Sequence, residues 1–138
     1  GENAHLDKAM VQLKDGIKVL SDTAMYLMQK SMSGDMMYPV SVATPFLELF
    51  GHVVMCYYLM QQAVLASAKL DEIFQAEGAA DDAAKKKVVD EKTEAGFYSG
   101  KVMAARFFAS NILAGIYSIQ NLIKSEDNTI MEISENAF

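Results

Sequence analysis

The chain has 138 residues, enough for one domain with a real core, and it is 51% hydrophobic and 22% charged, as is ordinary for a globular protein. Its formal net charge is −6 and its pI is about 4.8, which makes nucleic acid a poor partner because an acidic surface repels phosphate backbones. With 8 glycines, 2 prolines and 10 methionines, the composition favours long helices.

The first segment, residues 3–31, has the periodicity of an amphipathic helix. Gly34 follows it, where a left-handed C-terminal cap is expected. In the next stretch, 35–43, Pro39 should force Tyr38 out of the helical region, so we predict an irregular connection there. The apolar positions of the helix recur at steps of three and four and form one predicted core stripe: Leu6, Met10, Leu13, Ile17, Leu20, Ala24 and Leu27.

A second helix is predicted from Pro45 to about Ala76, with Thr44 as its N-cap. Its first half is apolar nearly all round, whereas a helix in a small bundle buries only part of its circumference. Aromatic side chains are enriched at protein interfaces, and this helix carries four of them, predicted to lie on different sides. These are the candidate interface residues with another domain or chain: Phe46, Phe50, Tyr57 and Tyr58.

Residues 79–95 are polar and lack a core face. We therefore predict an exposed extension of the third long helix, or alternatively a fourth helix of its own, with Gly96 and Gly100 marking a bend. From 97–124 the apolar pattern returns. The predicted core stripe of this part is Ala105, Phe108, Ile112, Gly115, Ile119 and Leu122.

Small residues on this last helix predict the close approach of a neighbouring helix: Gly100, Ala104, Gly115 and Ser118. The helix should end within 125–128. The apolar residues beyond it are expected to form a tail that docks back on the bundle: Ile130, Met131, Ile133 and Phe138.

The fold class is therefore predicted to be all-α, an up-down antiparallel bundle of three long helices, or of four if the polar stretch forms its own, in a single domain over 1–138. The chain starts without a methionine, so we expect a fragment of a longer chain. Cys56 is the single cysteine and no feature indicates an oxidising compartment, so we expect a cytoplasmic setting. Glu48 and His52 interrupt the apolar run 46–68, so no membrane span is predicted.

Residues suited to catalysis or metal binding are sparse. The two histidines are His5 and His52, and the pair Glu48 and His52 is too small for a zinc or di-iron site. Cys56 is expected to be a buried, inert thiol, and Arg106 is expected to pair with a carboxylate. We predict no catalytic, cofactor-binding or metal-binding residue, although a haem-binding bundle with His52 as axial ligand remains an alternative.

Three segments resemble the C-terminal extension of the acyl-CoA dehydrogenase branch that includes 3-methylmercaptopropionyl-CoA dehydrogenase. They are 44–51 (TPFLELFG), 101–109 (KVMAARFFA) and the ending 130–138. The resemblance implies a parent enzyme that uses FAD to desaturate an acyl-CoA between its α and β carbons. Its glutamate base and flavin-binding residues would lie upstream, so this fragment would hold no cofactor.

The same resemblance implies a non-catalytic domain that packs on the upstream catalytic domains of its own chain and supports the subunit arrangement of a homo-oligomer. The residues alone leave a second interpretation open, a stand-alone helical-bundle adaptor or interaction module.

Overall fold

The computed structural model describes the backbone of residues 2–137 and the side chains of residues 6–137. Within that range the chain is helical and has no strand, which confirms the all-α class. A π-turn, Phe108–Ile112, and a 3₁₀ turn, Leu113–Gly115, join α5 to α6, and a 3₁₀ turn, Glu135–Ala137, follows the last helix. The α-helices are α1 Glu2–Met32, α2 Met37–Ser41, α3 Ala43–Ala76, α4 Asp82–Glu91, α5 Thr93–Phe107, α6 Ile116–Ile123 and α7 Thr129–Glu132.

The first helix and the last long helical unit run in the same direction. The position of a Cβ on Gly16 lies 3.3 Å from a methyl group of Leu113. About two turns further along both helices, the Gln120 amide donates a hydrogen bond to the Thr23 hydroxyl at 3.0 Å. Residue numbers therefore increase together along this contact.

The long helix α3 returns between them in the opposite direction. Near its C-terminal end, Phe74 lies in one buried cluster with Ala95 at the start of α5. Near its N-terminal end, the His52 ring packs edge-on against Phe108, at the end of α5. The three long units therefore pass up, down and up through the domain.

The core has a main cluster in the middle of the bundle and a smaller cluster at each end. The main cluster contains Ala9, Leu13, Val19, Leu49, Val53, Cys56, Met60, Ala63, Ala105, Ala109, Leu113 and Ile116. The end clusters are Leu27, Tyr38, Val42 and Ile123, and Leu70, Phe74, Ala79 and Ala95.

The buried face of α1 is turned relative to the predicted stripe. Leu13 and Leu27 are buried as predicted, but Ile17 is 46% exposed and Ala24 is also exposed. Small residues, including Ala9 and Gly16, are buried in their place. Because Gly16 has no side chain, the last helical unit approaches most closely there.

The predicted irregular connection at 35–43 is wrong, because Tyr38 and Pro39 lie within α2. The Asp35 carboxylate accepts a hydrogen bond from the Tyr38 N–H at 3.1 Å, and a proline is tolerated in the first turn, where its N–H would have no intrahelical partner. The predicted N-cap at Thr44 is also wrong. Helix α3 begins at Ala43, after Val42, and no side chain caps it.

The polar stretch forms a helix of its own, α4, so the extension of the third helix is wrong and the fourth-helix alternative is right. The Asp81 carboxylate caps α4 by accepting a hydrogen bond from the Ala84 N–H at 2.8 Å. Lys92 is extended, with φ −110° and ψ 116°, and separates α4 from α5. The bend predicted at Gly96 and Gly100 is absent, since both lie inside α5.

The predicted stripe of the last helix holds as far as Ala105 and is then displaced by one residue. Ala109, Leu113 and Ile116 are buried, whereas the predicted Ile112 is 37% exposed. A π-turn contains one more residue than an α-helical turn. The π-turn Phe108–Ile112 therefore rotates every downstream position by one place.

Two further expectations about the C-terminal part are wrong. The small residues predicted to meet a neighbouring helix are exposed in the structure: Gly100, Ala104, Gly115 and Ser118. The tail does not dock on the bundle, since Ile130 is 74% exposed and Met131 and Ile133 are also exposed. The last tail residue, Phe138, lies outside the described residues.

Candidate interaction surface

The four aromatic residues singled out in the sequence lie mainly on the surface of α3. Phe50, Tyr57 and Tyr58 are exposed, and Phe46 is partly buried against the end cluster that contains Tyr38. At 100° per residue, Phe46, Phe50 and Tyr57 fall on one face, and Tyr58 lies about 100° away from Tyr57 around the helix. The prediction that the four lie on different sides is therefore wrong for Phe46, Phe50 and Tyr57, and the spacing along the sequence was enough to show this.

Three exposed aliphatic residues of α3, which the sequence analysis did not single out, extend this aromatic face. Leu47 is 68% exposed, Leu65 is 71% exposed and Val64 is 51% exposed. Between Glu48 and Lys69 the helix carries no Asp, Glu, Lys or Arg, over a length of ~30 Å. An apolar surface of this extent on a small domain is typical of a protein or membrane contact.

A groove runs between α1 and α3 beside this face. Its cavity has a volume of about 470 Å³. The Gln61 side-chain amide donates a hydrogen bond to the Tyr57 hydroxyl at 2.8 Å, so the main polar groups of the groove pair with each other. The lining residues are Met10, Leu13, Tyr57, Met60, Gln61, Val64 and Leu65.

A second cavity, of about 300 Å³, continues the first one. Met10, Met60 and Val64 line both cavities, whereas Asp7 and Asp71, which lie further along α1 and α3, line only the second. The two cavities together form an apolar channel with an acidic end, which we call the α1–α3 groove.

The groove does not fit a flavin, because a flavin pyrophosphate needs positively charged or clustered N–H donors, and neither cavity is lined by a Lys or Arg. Arg106 was predicted to pair with a carboxylate, but it forms no ion pair among the residues that the structure describes. Its guanidinium lies 3.5 Å from the Met103 sulfur. Among the residues that the structure describes, no three His, Cys, Asp or Glu side chains are grouped to hold a metal ion.

The remaining chemical candidates do not converge on a site. Cys56 is fully buried, and burial raises the pKa of its thiol, which makes it unreactive as expected. His52 is partly buried against Phe108, with ring centroids 6.3 Å apart, while Glu48 on the same helix is exposed. The side chain of His5 lies outside the described residues.

Two helical segments are long and apolar enough to cross a membrane by length and composition alone, Ala43–Ala76 and Thr93–Ile123. This is weak evidence for a span, since core helices of soluble proteins pass the same test. Only 33% and 22% of their apolar windows are buried in the bundle. Both segments therefore contribute to the apolar surface of the domain.

Comparison with known protein families identifies the family to which this domain belongs. The model of the family described as acetyl-CoA dehydrogenase C-terminal like matches residues 2–134. This chain belongs to the family of acyl-CoA dehydrogenase C-terminal domains. The suspected resemblance is confirmed at the level of the family.

Two curated relatives are dehydrogenases of this class. The chain is 33% identical over 138 residues to the broad-specificity linear acyl-CoA dehydrogenase FadE5 of Mycobacterium tuberculosis. This alignment covers 99% of the chain. It is 26% identical over 96 residues, 70% of its length, to a butyryl-CoA dehydrogenase of Syntrophomonas wolfei. The aligned part makes up 20% of the first relative and 13% of the second, so the chain spans only a small share of either enzyme.

Proposed function

We propose that this chain is the non-catalytic C-terminal domain of an FAD-dependent acyl-CoA dehydrogenase. The domain packs on the catalytic core of its own chain and supports the assembly of a homo-oligomer. The observation that carries the proposal is the uncharged, exposed side of α3 between Glu48 and Lys69 in a domain of this family.

The physical reason is the hydration of apolar surface. Each Å² of apolar surface removed from water contributes about 25 cal/mol, and residues such as Leu47 and Leu65 are exposed over two thirds of their surface. Covering the exposed apolar side of α3 with another domain therefore stabilises the contact between the two domains. The residues that would face the partner include the four aromatics Phe46, Phe50, Tyr57 and Tyr58.

The chemistry of the parent enzyme follows from the family and not from residues of this domain. The parent desaturates an acyl-CoA between its α and β carbons, and FAD, with the residues that bind it, belongs to the upstream domains. The activities of the two relatives, a linear acyl-CoA and a butyryl-CoA dehydrogenase, favour an unbranched acyl chain as substrate. A cytoplasmic setting without a membrane span is part of the same proposal.

The test is made in the full-length enzyme that carries this domain. Deletion of residues 1–138 should release FAD and shift the particle mass in light scattering to smaller assemblies, because the contacts by which this domain holds the core and the subunits together are lost. Leu65→Glu should act in the same direction with the domain still present. The matched control is Val11→Glu, since Val11 is 56% exposed and apolar but lies outside the groove.

An enzyme that keeps its mass, its FAD and its acyl-CoA oxidation after both changes would contradict the proposal. The adaptor alternative makes a different prediction, an open reading frame with no dehydrogenase domain upstream of this one.

A further inference from the structure

We propose that the α1–α3 groove is the docking site of an apolar helix from the upstream part of the same chain, and that this helix carries a basic residue where it meets Asp7 and Asp71. The inference rests on the proposed function and adds to it the face that is covered, the occupant and its orientation.

The shape and chemistry of the groove match a helix. From Tyr57 to Asp71 the wall formed by α3 is ~20 Å long, the length of a helix of about four turns. Its walls are apolar side chains, and Gln61 and the Tyr57 hydroxyl are already paired with each other at 2.8 Å. An occupant must therefore offer apolar side chains at helical spacing, as in helix-in-groove recognition.

The position of the groove favours a segment of the same chain. Leu6 and Asp7, in the first turns of α1, line its acidic end. The upstream polypeptide of the enzyme joins at that end of α1. The relative FadE5 is five times as long as the region that aligns with this chain, so a large domain is tethered there. A tethered segment has an effective concentration in the millimolar range.

The charges favour the same occupant over a second copy of the domain. Each copy carries a formal net charge of −6, so two copies repel each other at long range and are expected to meet only at high concentration. The groove itself ends in two exposed carboxylates, Asp7 and Asp71. A lysine or arginine on the docked helix would complement them and set the direction in which the helix lies.

Photo-crosslinking in the full-length holoenzyme tests the occupant. The photoreactive residue p-benzoylphenylalanine is placed at Leu65, in the groove, or at Met103, which is 54% exposed on α5. The groove position should give crosslinks within one chain, to a single upstream helix, with no increase of mass on a denaturing gel.

Crosslinks that double the mass would identify a second copy as the occupant and overturn the inference. The absence of any protein crosslink at Leu65 would overturn it as well, since the groove would then face solvent or lipid. If upstream crosslinks form only from Met103, the groove assignment fails while the packing of the domain on its core stands.

Charge reversal tests the orientation separately. The double variant Asp7→Lys with Asp71→Lys should lower the yield of the Leu65 crosslink roughly fivefold at low salt, an effect of the size expected for exposed charges. The control Asp22→Lys changes an exposed aspartate of α1 that lines neither cavity and should leave the yield unchanged. Equal yields in all three proteins would exclude a basic residue at the acidic end.

Discussion

The hydroxyl group of Tyr38 links α2 to the end of α6. It donates a hydrogen bond to the Ile123 carbonyl at 2.6 Å and accepts one from the Glu126 N–H at 3.0 Å. The last carbonyls of a helix have no partner within the helix, and Glu126 has a positive φ of 57°. The tyrosine therefore closes this end of the helix from another element, in a position where it is only 2% exposed.

Replacing Tyr38 tests this role. Tyr38→Phe leaves a buried carbonyl and a partly buried N–H without their partner, so it should lower the free energy of unfolding by about 1–3 kcal/mol. The measurement is urea denaturation followed by circular dichroism. Tyr57→Phe is the control, because its exposed hydroxyl makes only a surface hydrogen bond. Equal stabilities of the two variants would contradict the assigned role.

Beside Tyr38, Glu126 takes part in a small charged network. The Lys30 ammonium lies 2.7 Å from the Glu126 carboxylate, and the Tyr26 hydroxyl donates to the same oxygen at 2.9 Å. The hydrogen bond from Lys30, followed by that from Tyr26, lowers the pKa of Glu126 below its ordinary 4.5. The carboxylate raises the pKa of Lys30 above its ordinary 10.5 in turn.

These shifts predict how stability depends on pH. A carboxyl group with a lowered folded pKa stabilises the fold above its unfolded pKa and loses this contribution as the pH falls through the folded value. A lysine with a raised pKa stabilises the fold at lower pH and loses its contribution at alkaline pH, above 10.5. The network therefore contributes between about pH 5 and pH 10.

Glu126→Gln should consequently show a smaller decrease of Tm than the unaltered chain when the pH is lowered from 6 to 3. Salt should weaken the difference, because the network is exposed. Thermal melts at several pH values measure it, with Glu132→Gln, at an exposed position of α7, as the control. If Tm falls equally with pH for Glu126→Gln and for the unaltered chain, the network does not contribute to stability.

Among the helical elements, the π-turn Phe108–Ile112 determines which side of the last helix faces the core. It lies between Ala105 and Leu113, which are both buried. A π-turn is an α-helical turn with one residue inserted. The chain is α-helical up to Phe107 and, after the 3₁₀ turn Leu113–Gly115, is α-helical again from Ile116, so the inserted residue is accommodated within these two turns.

Deletion of Ser110 therefore should preserve the fold. Ser110 is exposed, and its removal would convert the π-turn into an α-helical turn while the downstream residues keep their faces. Deletion of Met103, also exposed but inside the regular part of α5, should rotate the downstream residues by ~100° and unfold the domain. Circular dichroism and thermal melting distinguish the two; similar Tm values would refute the assigned role of the π-turn.

At the scale of the whole molecule, the domain exposes apolar residues on several sides at once. On α1 these include Met28, on α3 Leu47 and Leu65, and on α5 Phe97 and Phe107, all more than half exposed. The three long units nevertheless bury enough residues between them to form an internal core. The domain thus combines a small core with an outer surface suited to burial against other domains.

Separated from its partner domains, the chain should associate with itself through α3 at high concentration. Multi-angle light scattering should show a mass that increases with concentration, and Tyr58→Glu with Leu65→Glu should suppress the increase by placing charge on the exposed face. The control Val11→Glu should not suppress it. A strict monomer at high concentration would contradict self-association through the apolar face of α3.

Much of the fold could be predicted from the sequence because it depends on local chemistry. The periodicity of α1, the positive φ of Gly34 and Gly78, and the extent of α3 to Ala76 follow from the spacing of apolar residues and from the conformational freedom of glycine. The burial of Cys56 follows from its apolar surroundings in the sequence.

Tertiary contacts decided the features for which the local pattern was ambiguous. Helix α1 is apolar over a wider arc than its core contact needs, so the choice between Gly16 and Ile17 as the buried position depended on how closely the last helix approaches. The spacing of apolar residues in the sequence does not reveal that the π-turn contains an inserted residue. The α1–α3 groove is lined by side chains of two helices, and how two helices pack against each other is a property that neither sequence segment encodes by itself.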